Sequence, residues 1–367
     1  FYYYSNPGMI RSFLDACLSF RAGREAGKRW DLLAKPIDSL GLLEKHVKKL
    51  CRIEGCAEPF SIKPRALVIF CADHGVVKEG VTQTGSQVTR IVSENFAAGR
   101  STVNILAEMA QADVFTVDVG MDASPFSQKT LITGAVVDRK IARGSGDIAV
   151  EPAMTRAQCE QAIETGMRIA GELKEKGYRI LATGEMGIGN TSTSAAVLSA
   201  LTGADIEVVT GRGGGLTDEG FARKKDVLRR ALTRRAVDKD DVLDVLCAVG
   251  GLDIAAMAGA FLGCAHERIP AAVDGFISVV AALCAVTLCP KVRDYLGYAR
   301  AAQALGLTPC LALDMRLGEG SGCPLLFRVL EGACGVMAGM ATFAQAAIPD
   351  DYLDEIRAGD SFTVDKP

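Results

Sequence analysis

The sequence predicts an α/β fold: an open, mostly parallel sheet with helices on both faces, plus a small helical domain formed from the chain ends. Short apolar runs flanked by glycine or polar turns recur along the chain, which is typical of buried parallel strands. Longer stretches compatible with helices alternate with these runs, as βαβ units require. With 367 residues, of which 49% are hydrophobic, the chain can bury a large core.

The chain begins with a segment that is predicted to be helical. Residues 1–8 differ in composition from the chain after Met9, and we interpret them as a foreign addition without a functional role. Residues 9–60 are rich in charge and carry apolar side chains at helical spacing, with breaks at Pro36 and Gly41. They are predicted to form the N-terminal part of the small domain.

Residues 61–324 are predicted to form an α/β nucleotide-binding core. Its predicted strands are residues 66–71, 113–119, 179–183, 270–273 and 309–313. Its predicted helices include residues 86–109, 156–176, 191–201 and 216–237. Residues 325–367 contain a long helical region rich in Ala, Met and Gly, up to Ala347, and a polar tail. This C-terminal segment is predicted to complete the small domain.

Composition excludes several classes of protein. A net charge of −3 gives no electrostatic reason to bind nucleic acid or anionic lipid. The longest apolar stretch, residues 277–289, is shorter than the roughly 20 residues that cross a bilayer. The 12 cysteines lie mostly in apolar runs without a CxxC pair, which indicates buried thiols in a reduced compartment. We expect a cytoplasmic protein that acts on a small molecule, without a metal or cofactor.

The first of two glycine clusters, Gly184–Ser192, follows a predicted strand and opens a predicted helix. Ligands in open α/β sheets lie at such a strand end, where backbone N–H groups and helix N-termini favour anions. We interpret Gly187 and Gly189 as positions where the backbone approaches a ligand without a Cβ. Asn190 and Thr191 would then cap the helix or donate to the ligand.

The second glycine cluster, Thr210–Leu216, precedes a helix that carries Arg223, Lys224 and Lys225. Adjacent glycines beside Arg212 and nearby lysines suit a phosphate monoester. Turn geometry alone also requires glycine, but two such clusters in one α/β chain favour ligand binding. Neither cluster has the pattern of a P-loop, and the first lacks the acidic residue of a dinucleotide site, so both of those interpretations are weak.

Acidic residues follow several predicted strands. Glu319 comes after the fifth predicted strand and Glu185 lies inside the first glycine cluster, so both are candidates for a general base. Asp73 and His74 follow the first strand, although a lone histidine is more often a structural hydrogen-bonding residue than an acid–base catalyst. These strand ends would meet at one edge of the sheet, as one site assembled from several loops requires.

Seven motifs together resemble the nicotinate-nucleotide–dimethylbenzimidazole phosphoribosyltransferase family. They are Lys35–Gly41, Ala72–Val76, Gly184–Thr191, Gly211–Gly213, Val249–Asp253, Asp274–Phe276 and Arg316–Gly322. The resemblance runs from about Lys35 to Ala347. It implies a homodimeric enzyme that transfers 5-phosphoribosyl from nicotinate mononucleotide to an aromatic lower-ligand base. The products would be an α-ribazole phosphate and nicotinate, for cobamide assembly.

The resemblance also implies roles for individual residues. Glu319 is implied as the general base that takes the proton from a ring nitrogen of the attacking base. The residues implied at the nucleotide and its phosphate are Glu185, Gly187, Gly189, Asn190, Thr191, Gly211, Arg212, Gly213, Lys224, Gly318 and Gly320. The residues implied at the acceptor base are Asp73, His74, Thr84 and Val92.

The segment Gly80–Val92 departs from the family pattern. Thr84 and Val92 stand where we would expect a serine and a glutamine, and valine cannot form a hydrogen bond with the acceptor. The identity of the acceptor is therefore left open among an unsubstituted benzimidazole, a purine and a phenol. Two further alternatives are an NAD-dependent oxidoreductase and a non-catalytic subunit that only binds a nucleotide.

Overall fold

A six-stranded parallel sheet organises the larger of two units in the computed structural model, which describes residues 18–58, 60–235, 237–298, 309–351, 353 and 356. Residues 1–8, which we interpreted as a foreign addition, lie outside these ranges. The strands are β1 Arg65–Ala72, β2 Ala112–Gly120, β3 Val136–Asp138, β4 Ile180–Met186, β5 Ala271–Val273 and β6 Leu296–Tyr298. All eight residues of β1 are buried, so both faces of the sheet are covered. The predicted open parallel α/β fold is confirmed.

The strand order β3-β2-β1-β4-β5-β6 reverses direction between β1 and β4. The first three strands extend the sheet one way from β1, and β4 to β6 extend it the other way. In open α/β sheets, loops at the carboxyl ends of the strands leave a crevice at such a reversal. This topology therefore predicts a crevice beyond Ala72 and Met186, the last residues of β1 and β4.

Twelve helices lie within the described ranges. They are α1 Phe20–Leu32, α2 Leu42–Glu54, α3 Gln87–Ala97, α4 Thr102–Met109, α5 Arg156–Glu175, α6 Asn190–Thr202, α7 Ile206–Val209, α8 Asp218–Arg235, α9 Val242–Val249, α10 Leu252–His266, α11 Gly275–Leu288 and α12 Cys323–Gly339. Polar residues fix several starts: Thr155 and Gln158 form a capping box before α5, and Asp241 caps α9. Among these helices, none has the length and hydropathy of a segment that crosses a bilayer.

The smaller unit is built from the described residues before 63 and after 326. Leu33 forms an antiparallel bridge with Thr342, and Arg29 Nε donates to the Met337 carbonyl at 3.1 Å. Lys35 Nζ lies 2.6 Å from Glu44 Oε1, and both side chains are buried. This division lies near the domain boundaries predicted at residues 60 and 324, which stay a prediction.

Several predicted elements were wrong. Residues 309–313 form no strand: Leu313 is 57% exposed, and β6 takes the position beside β5. The predicted helix 86–109 is two helices, because Gly99 adopts φ +72° between them. The helix predicted from residue 325 to Ala347 ends at Gly339.

Helices α5 and α10 pack unusually close to each other at positions where each has a glycine. A Cβ added at Gly166 would lie 1.9 Å from the Ala256 carbonyl oxygen, and one added at Gly259 would lie 2.0 Å from the Ile163 carbonyl oxygen. Each helix backbone therefore occupies the space that a side chain of the other would need. This close approach holds α10, a largely apolar helix that also contacts β1, β2 and β4.

We predict that Gly166→Ala lowers the free energy of unfolding by about 1–3 kcal/mol, since the added methyl group meets backbone atoms that cannot move independently. Gly171→Ala in the same helix is the matched control, because a Cβ there would lie 3.7 Å from its nearest neighbour, a side-chain oxygen of Glu267. The control should be neutral or stabilising by about 0.5–1 kcal/mol. Urea unfolding of both variants measures the difference, and equal stabilities would contradict the close crossing.

Candidate active site

A cavity of about 570 Å³ lies at the carboxyl end of β4. Its walls come from four segments that are distant in sequence. The lining residues are Glu185, Met186, Gly187, Ile188, Asn190, Thr191, Val208, Val209, Thr210, Gly211, Gly213, Gly214, Gly275, Phe276, Ile277, Arg316, Leu317, Gly318 and Glu319. The structure thus brings both glycine clusters and the predicted base to one cavity beyond the carboxyl ends of β4 and β5, the side of the sheet where ligands are expected.

Glu319 lies in a turn with an unusual backbone. Gly318, Glu319 and Gly320 all have positive φ, at +84°, +61° and +77°. A left-handed conformation is uncommon for a residue with a side chain, and it persists where the surroundings impose it. The turn packs directly on β4, where a Cβ at Gly184 would lie 2.2 Å from the Glu319 carbonyl oxygen. Glycine at residue 184 is therefore a condition for the position of Glu319.

The Glu185 carboxyl group is hydrogen-bonded to the same turn. Its Oε1 accepts a hydrogen bond from the Glu319 backbone N–H at 3.2 Å, and its Oε2 accepts one from Asn190 Nδ2. Burial raises the pKa of Glu185 to about 8, and the neighbouring carboxylates of Asp253 and Glu319 also act to raise it. Burial also raises the pKa of Glu319 above its ordinary value. Both groups thus titrate closer to neutral pH than exposed carboxyl groups do.

Asp274 fixes the far end of the Glu319 turn. Its Oδ2 accepts a hydrogen bond from the Gly322 backbone N–H at 2.7 Å. A Cβ at Gly322 would lie 2.6 Å from Asp274 Oδ1, so this contact also depends on glycine. Asp274 directly precedes α11, whose first residues Gly275 and Phe276 line the cavity. The turn is held at both ends by buried carboxyl groups from two neighbouring strand ends.

The first glycine cluster serves the protein interior as well as the cavity. A Cβ at Gly187 would lie 2.3 Å from the Ala72 carbonyl oxygen, and one at Gly189 would lie 3.0 Å from His74 Cβ. Gly189 is not in the cavity wall, and its predicted role at the ligand stays a prediction. Gly187 lines the cavity but is also required by packing, because β1 and its following loop lie directly behind it.

The second glycine cluster, by contrast, leaves open space. Gly211 and Gly214 line the cavity, and a Cβ added at either would meet no heavy atom within 4 Å. Packing does not require glycine at these two positions. Their missing side chains leave room where a ligand could contact the backbone N–H groups of the loop. Gly213, with φ +55°, supplies the turn between them.

Lys224 joins the two glycine clusters. Its side chain is buried, and its Nζ donates to Thr191 Oγ1 at 2.8 Å. A Cβ at Gly213 would lie 3.6 Å from the same Nζ. Burial lowers the pKa of Lys224 to about 8, because there is less water around the ammonium group. An anion bound beside Thr191 and Gly213 would restore the charged form.

Arg316 lines the cavity, whereas the other basic residues predicted near the second glycine cluster do not. Arg212 donates to the Leu216 carbonyl and to Asp218, and lies over the Phe221 ring, so its guanidinium is not in the cavity wall. Arg223 pairs with Glu219, and Lys225 pairs with Glu207. Of the three lysine and arginine residues predicted on α8, Lys224 contacts Thr191, which lines the cavity, although Lys224 itself is not in the cavity wall.

The acceptor residues predicted from the resemblance do not line this cavity. His74 is buried behind Gly187, and Asp73 is buried with its Oδ2 accepting from the Asp122 backbone N–H at 2.8 Å. Thr84 is exposed, and Val92 is half-buried on α3. Gly320 also lies outside the wall, buried against the Thr183 carbonyl. A role of Asp73, His74, Thr84 and Val92 at the acceptor stays a prediction.

One side of the cavity is apolar. Met186, Val208, Phe276 and Leu317 contribute to it, and Val208 and Leu317 are 81% and 51% exposed at its mouth. Sequence reasoning missed these four residues. Phe276 and Leu317 lie within motifs that carry the family resemblance, so these motifs could have indicated that both residues line the site. Val208 lies in the four-residue helix α7, and nothing in its sequence context distinguishes it.

Comparison with known proteins identifies the family of this chain. A family model described as phosphoribosyltransferase matches residues 17–348. The nicotinate-nucleotide–dimethylbenzimidazole phosphoribosyltransferase of Ruminiclostridium cellulolyticum is 44% identical over 340 residues, which cover 90% of this chain and 95% of that protein. The enzyme of the same name from Clostridium tetani is 40% identical over 344 residues, with 91% and 93% covered.

A solved structure gives the same result. The crystal structure of CobT from Thermus thermophilus superposes with a TM-score of 0.83 at 35% identity, covering 90% of this chain and 99% of that one. The family model spans both glycine clusters and the Glu319 turn, since it matches residues 17–348. The chain belongs to the nicotinate-nucleotide–dimethylbenzimidazole phosphoribosyltransferase family.

Proposed function

We propose that this protein transfers the 5-phosphoribosyl group of nicotinate mononucleotide to 5,6-dimethylbenzimidazole or an analogue. The products are α-ribazole 5′-phosphate and nicotinate, and the reaction serves assembly of the cobamide nucleotide loop. One observation carries the proposal: a carboxyl group held in a constrained turn and an open glycine loop line one cavity, and a buried lysine donates a hydrogen bond to Thr191 in the wall of that cavity. Homodimerisation and a cytoplasmic location are part of the same proposal.

The glycine loop and Lys224 suit the phosphate of the donor. Gly211 and Gly214 leave backbone N–H groups accessible, and Thr191 Oγ1 and Lys224 Nζ lie 2.8 Å apart at the start of α6. A helix N-terminus, a glycine loop and an ammonium group together form a strong site for a phosphate dianion. Anchoring the phosphate here fixes the ribose relative to the rest of the cavity.

The apolar wall suits the two aromatic rings. Met186 and Phe276 offer a polarisable and an aromatic surface, and Val208 and Leu317 lie at the mouth. Burying a flat ring against such side chains releases water from both surfaces, and aromatic pairs add further stabilisation. The cavity volume of about 570 Å³ is in the range of small-molecule sites.

The reaction requires little beyond alignment and one proton acceptor. The pyridinium ring of the donor leaves with a neutral ring nitrogen, so its departure needs no acid. The acceptor ring nitrogen attacks the anomeric carbon from the opposite face, which inverts β to α. Glu319 takes the proton of the second ring nitrogen and stabilises the positive charge that develops on the acceptor. A raised pKa makes Glu319 a stronger base than an exposed glutamate.

We predict that Glu319→Gln lowers kcat about 100-fold or more, because the amide keeps the shape of the turn but cannot accept the proton. Nicotinate mononucleotide affinity should stay within about 3-fold of wild type, since the phosphate contacts lie elsewhere in the cavity. Product formation by the purified chain, followed by mass spectrometry, and calorimetric donor binding measure the two effects. Turnover of the variant at the wild-type rate would remove Glu319 from the base role.

We predict that Lys224→Met weakens donor binding about 30-fold at pH 7, which corresponds to about 2 kcal/mol for a hydrogen bond to a charged group. The pKa of Lys224 is about 8 without ligand, so it loses its charge as the pH rises through 8. Wild-type affinity should therefore fall between about pH 7 and 9, whereas the affinity of the variant should change much less.

Lys225→Met is the matched control for this experiment, because Lys225 pairs with Glu207 away from the cavity wall. This variant should bind the donor with wild-type affinity and with the wild-type pH dependence. Calorimetric titrations across the same pH range make the comparison. Equal affinities of the Lys224 and Lys225 variants would contradict the phosphate assignment.

A further inference from the structure

A buried polar network lies behind the cavity. It consists of His74, Glu185, Asn190, Thr193 and Asp253, all of which are buried. Glu185 and Asn190 also line the cavity, whereas His74, Thr193 and Asp253 do not. Within this network, Glu185 and Asn190 connect the other three side chains to the cavity wall.

The contacts of Asp253 link the network. Its Oδ2 accepts from Asn190 Nδ2 at 3.3 Å, and the same amide nitrogen donates to Glu185 Oε2. Its Oδ1 accepts from the Ile254 backbone N–H at 2.9 Å and lies 3.1 Å from His74 Nε2. One carboxyl group thus holds the amide that in turn holds Glu185.

Thr193 and His74 support Asn190 from the other side. Thr193 Oγ1 donates to the Asn190 carbonyl at 3.0 Å and lies 3.1 Å from His74 Nδ1. The two imidazole nitrogens therefore contact Thr193 on α6 and Asp253 on α10. His74 itself follows β1, so one ring connects three separate elements.

Glycines keep the His74 ring in place. A Cβ at Gly251 would lie 2.2 Å from His74 Cε1, and one at Gly187 would lie 3.0 Å from His74 Nε2. Any side chain at these positions would overlap the ring. Because the ring fills the space that these glycines leave, it cannot move without disturbing the loops on either side.

We propose that Asp253, which lies beside His74, is a positioning residue: it fixes the Asn190 amide and thereby the Glu185 carboxyl, so that the turn carrying Glu319 keeps its left-handed conformation. The inference rests on the proposed function for its kinetic consequence. The proposed link itself is supported by the hydrogen bonds that run from Asp253 through Asn190 and Glu185 to the Glu319 backbone N–H.

A carboxylate is the side chain that this position requires. Its two oxygens face two different donors, the Ile254 N–H and the Asn190 amide nitrogen. In Asp253→Asn, the new NH₂ group must face one of these donors whichever way the amide is turned. The volume is almost unchanged, so the substitution tests the hydrogen bonds rather than the packing.

We expect Asp253→Asn to lower kcat about 10-fold while the KM for nicotinate mononucleotide changes less than about 3-fold, because a misplaced carboxyl group slows the chemical step and the phosphate contacts of Lys224 are intact. In an Asn190→Ala background the same substitution should have little further effect on kcat, since the link is already broken. Additive effects on kcat would overturn the proposed route through Asn190. A loss of thermal stability with an unchanged kcat per folded molecule would overturn the positioning role.

Hydrogen exchange gives a readout that does not depend on turnover. Amides in residues 318–322 should exchange about 10-fold faster in Asp253→Asn and Asn190→Ala than in the wild-type protein. Ser194→Ala is the matched control, because Ser194 is buried on the same helix as Asn190 and its hydroxyl has no hydrogen-bond partner among the described residues. Exchange should be unchanged in this control.

Two outcomes separate this inference from the proposed function. An inactive wild-type protein with faster exchange in both variants would contradict the proposed function and support the link. An active wild-type protein whose 318–322 exchange is unchanged in both variants would overturn the link alone. If Asp253→Asn fails to fold, Thr193→Val removes the hydroxyl between His74 and Asn190 and should accelerate the same exchange by a smaller factor.

Discussion

The geometry of the site depends on the contact between the turn Gly318–Gly320 and the end of β4. Gly184 must lack a side chain for the Glu319 carbonyl to lie against it, and Glu185 must be buried for its carboxyl to reach the Glu319 N–H. The left-handed backbone of Glu319 follows from these two contacts, because nothing local favours it for a glutamate. The strand end thus sets the position of the proposed base, and the rest of the cavity is arranged around it.

The two glycine clusters look alike in sequence but differ physically. In the first, the glycines accommodate other parts of the protein, chiefly the backbone of β1 and the His74 ring. In the second, Gly211 and Gly214 border open space and leave it to a ligand. The same residue type therefore supports rigidity on one side of the cavity and access on the other. Lys224, bonded to Thr191, joins the rigid side to the open one.

The sequence predicted the parallel sheet and the meeting of Glu185 and Thr191, because strand ends in such a sheet lie at one edge. It also predicted Glu319 at this edge, but from a strand at residues 309–313 that does not form; the contacts of the turn with Gly184 and Glu185 bring Glu319 there instead. Prediction failed for elements whose residues show no hydrophobic pattern that distinguishes a strand from a helix or a loop. β3 and β6 have three residues each, too few for a periodic pattern, and α10 is buried on all sides, so its apolar residues show no stripe. Asp253 belonged to a recognisable motif, but its contacts with Asn190 and His74 arise from tertiary structure and cannot be read from spacing.

The most direct measurement is the distance from the Glu319 carboxylate to the protonated ring nitrogen of the acceptor, in a crystal structure of this protein with nicotinate mononucleotide and 5,6-dimethylbenzimidazole bound. The account predicts about 2.6–3.2 Å, with residues 318–320 still left-handed and packed on Gly184. A carboxylate beyond hydrogen-bond reach, or an acceptor bound outside the cavity next to β4, would contradict it.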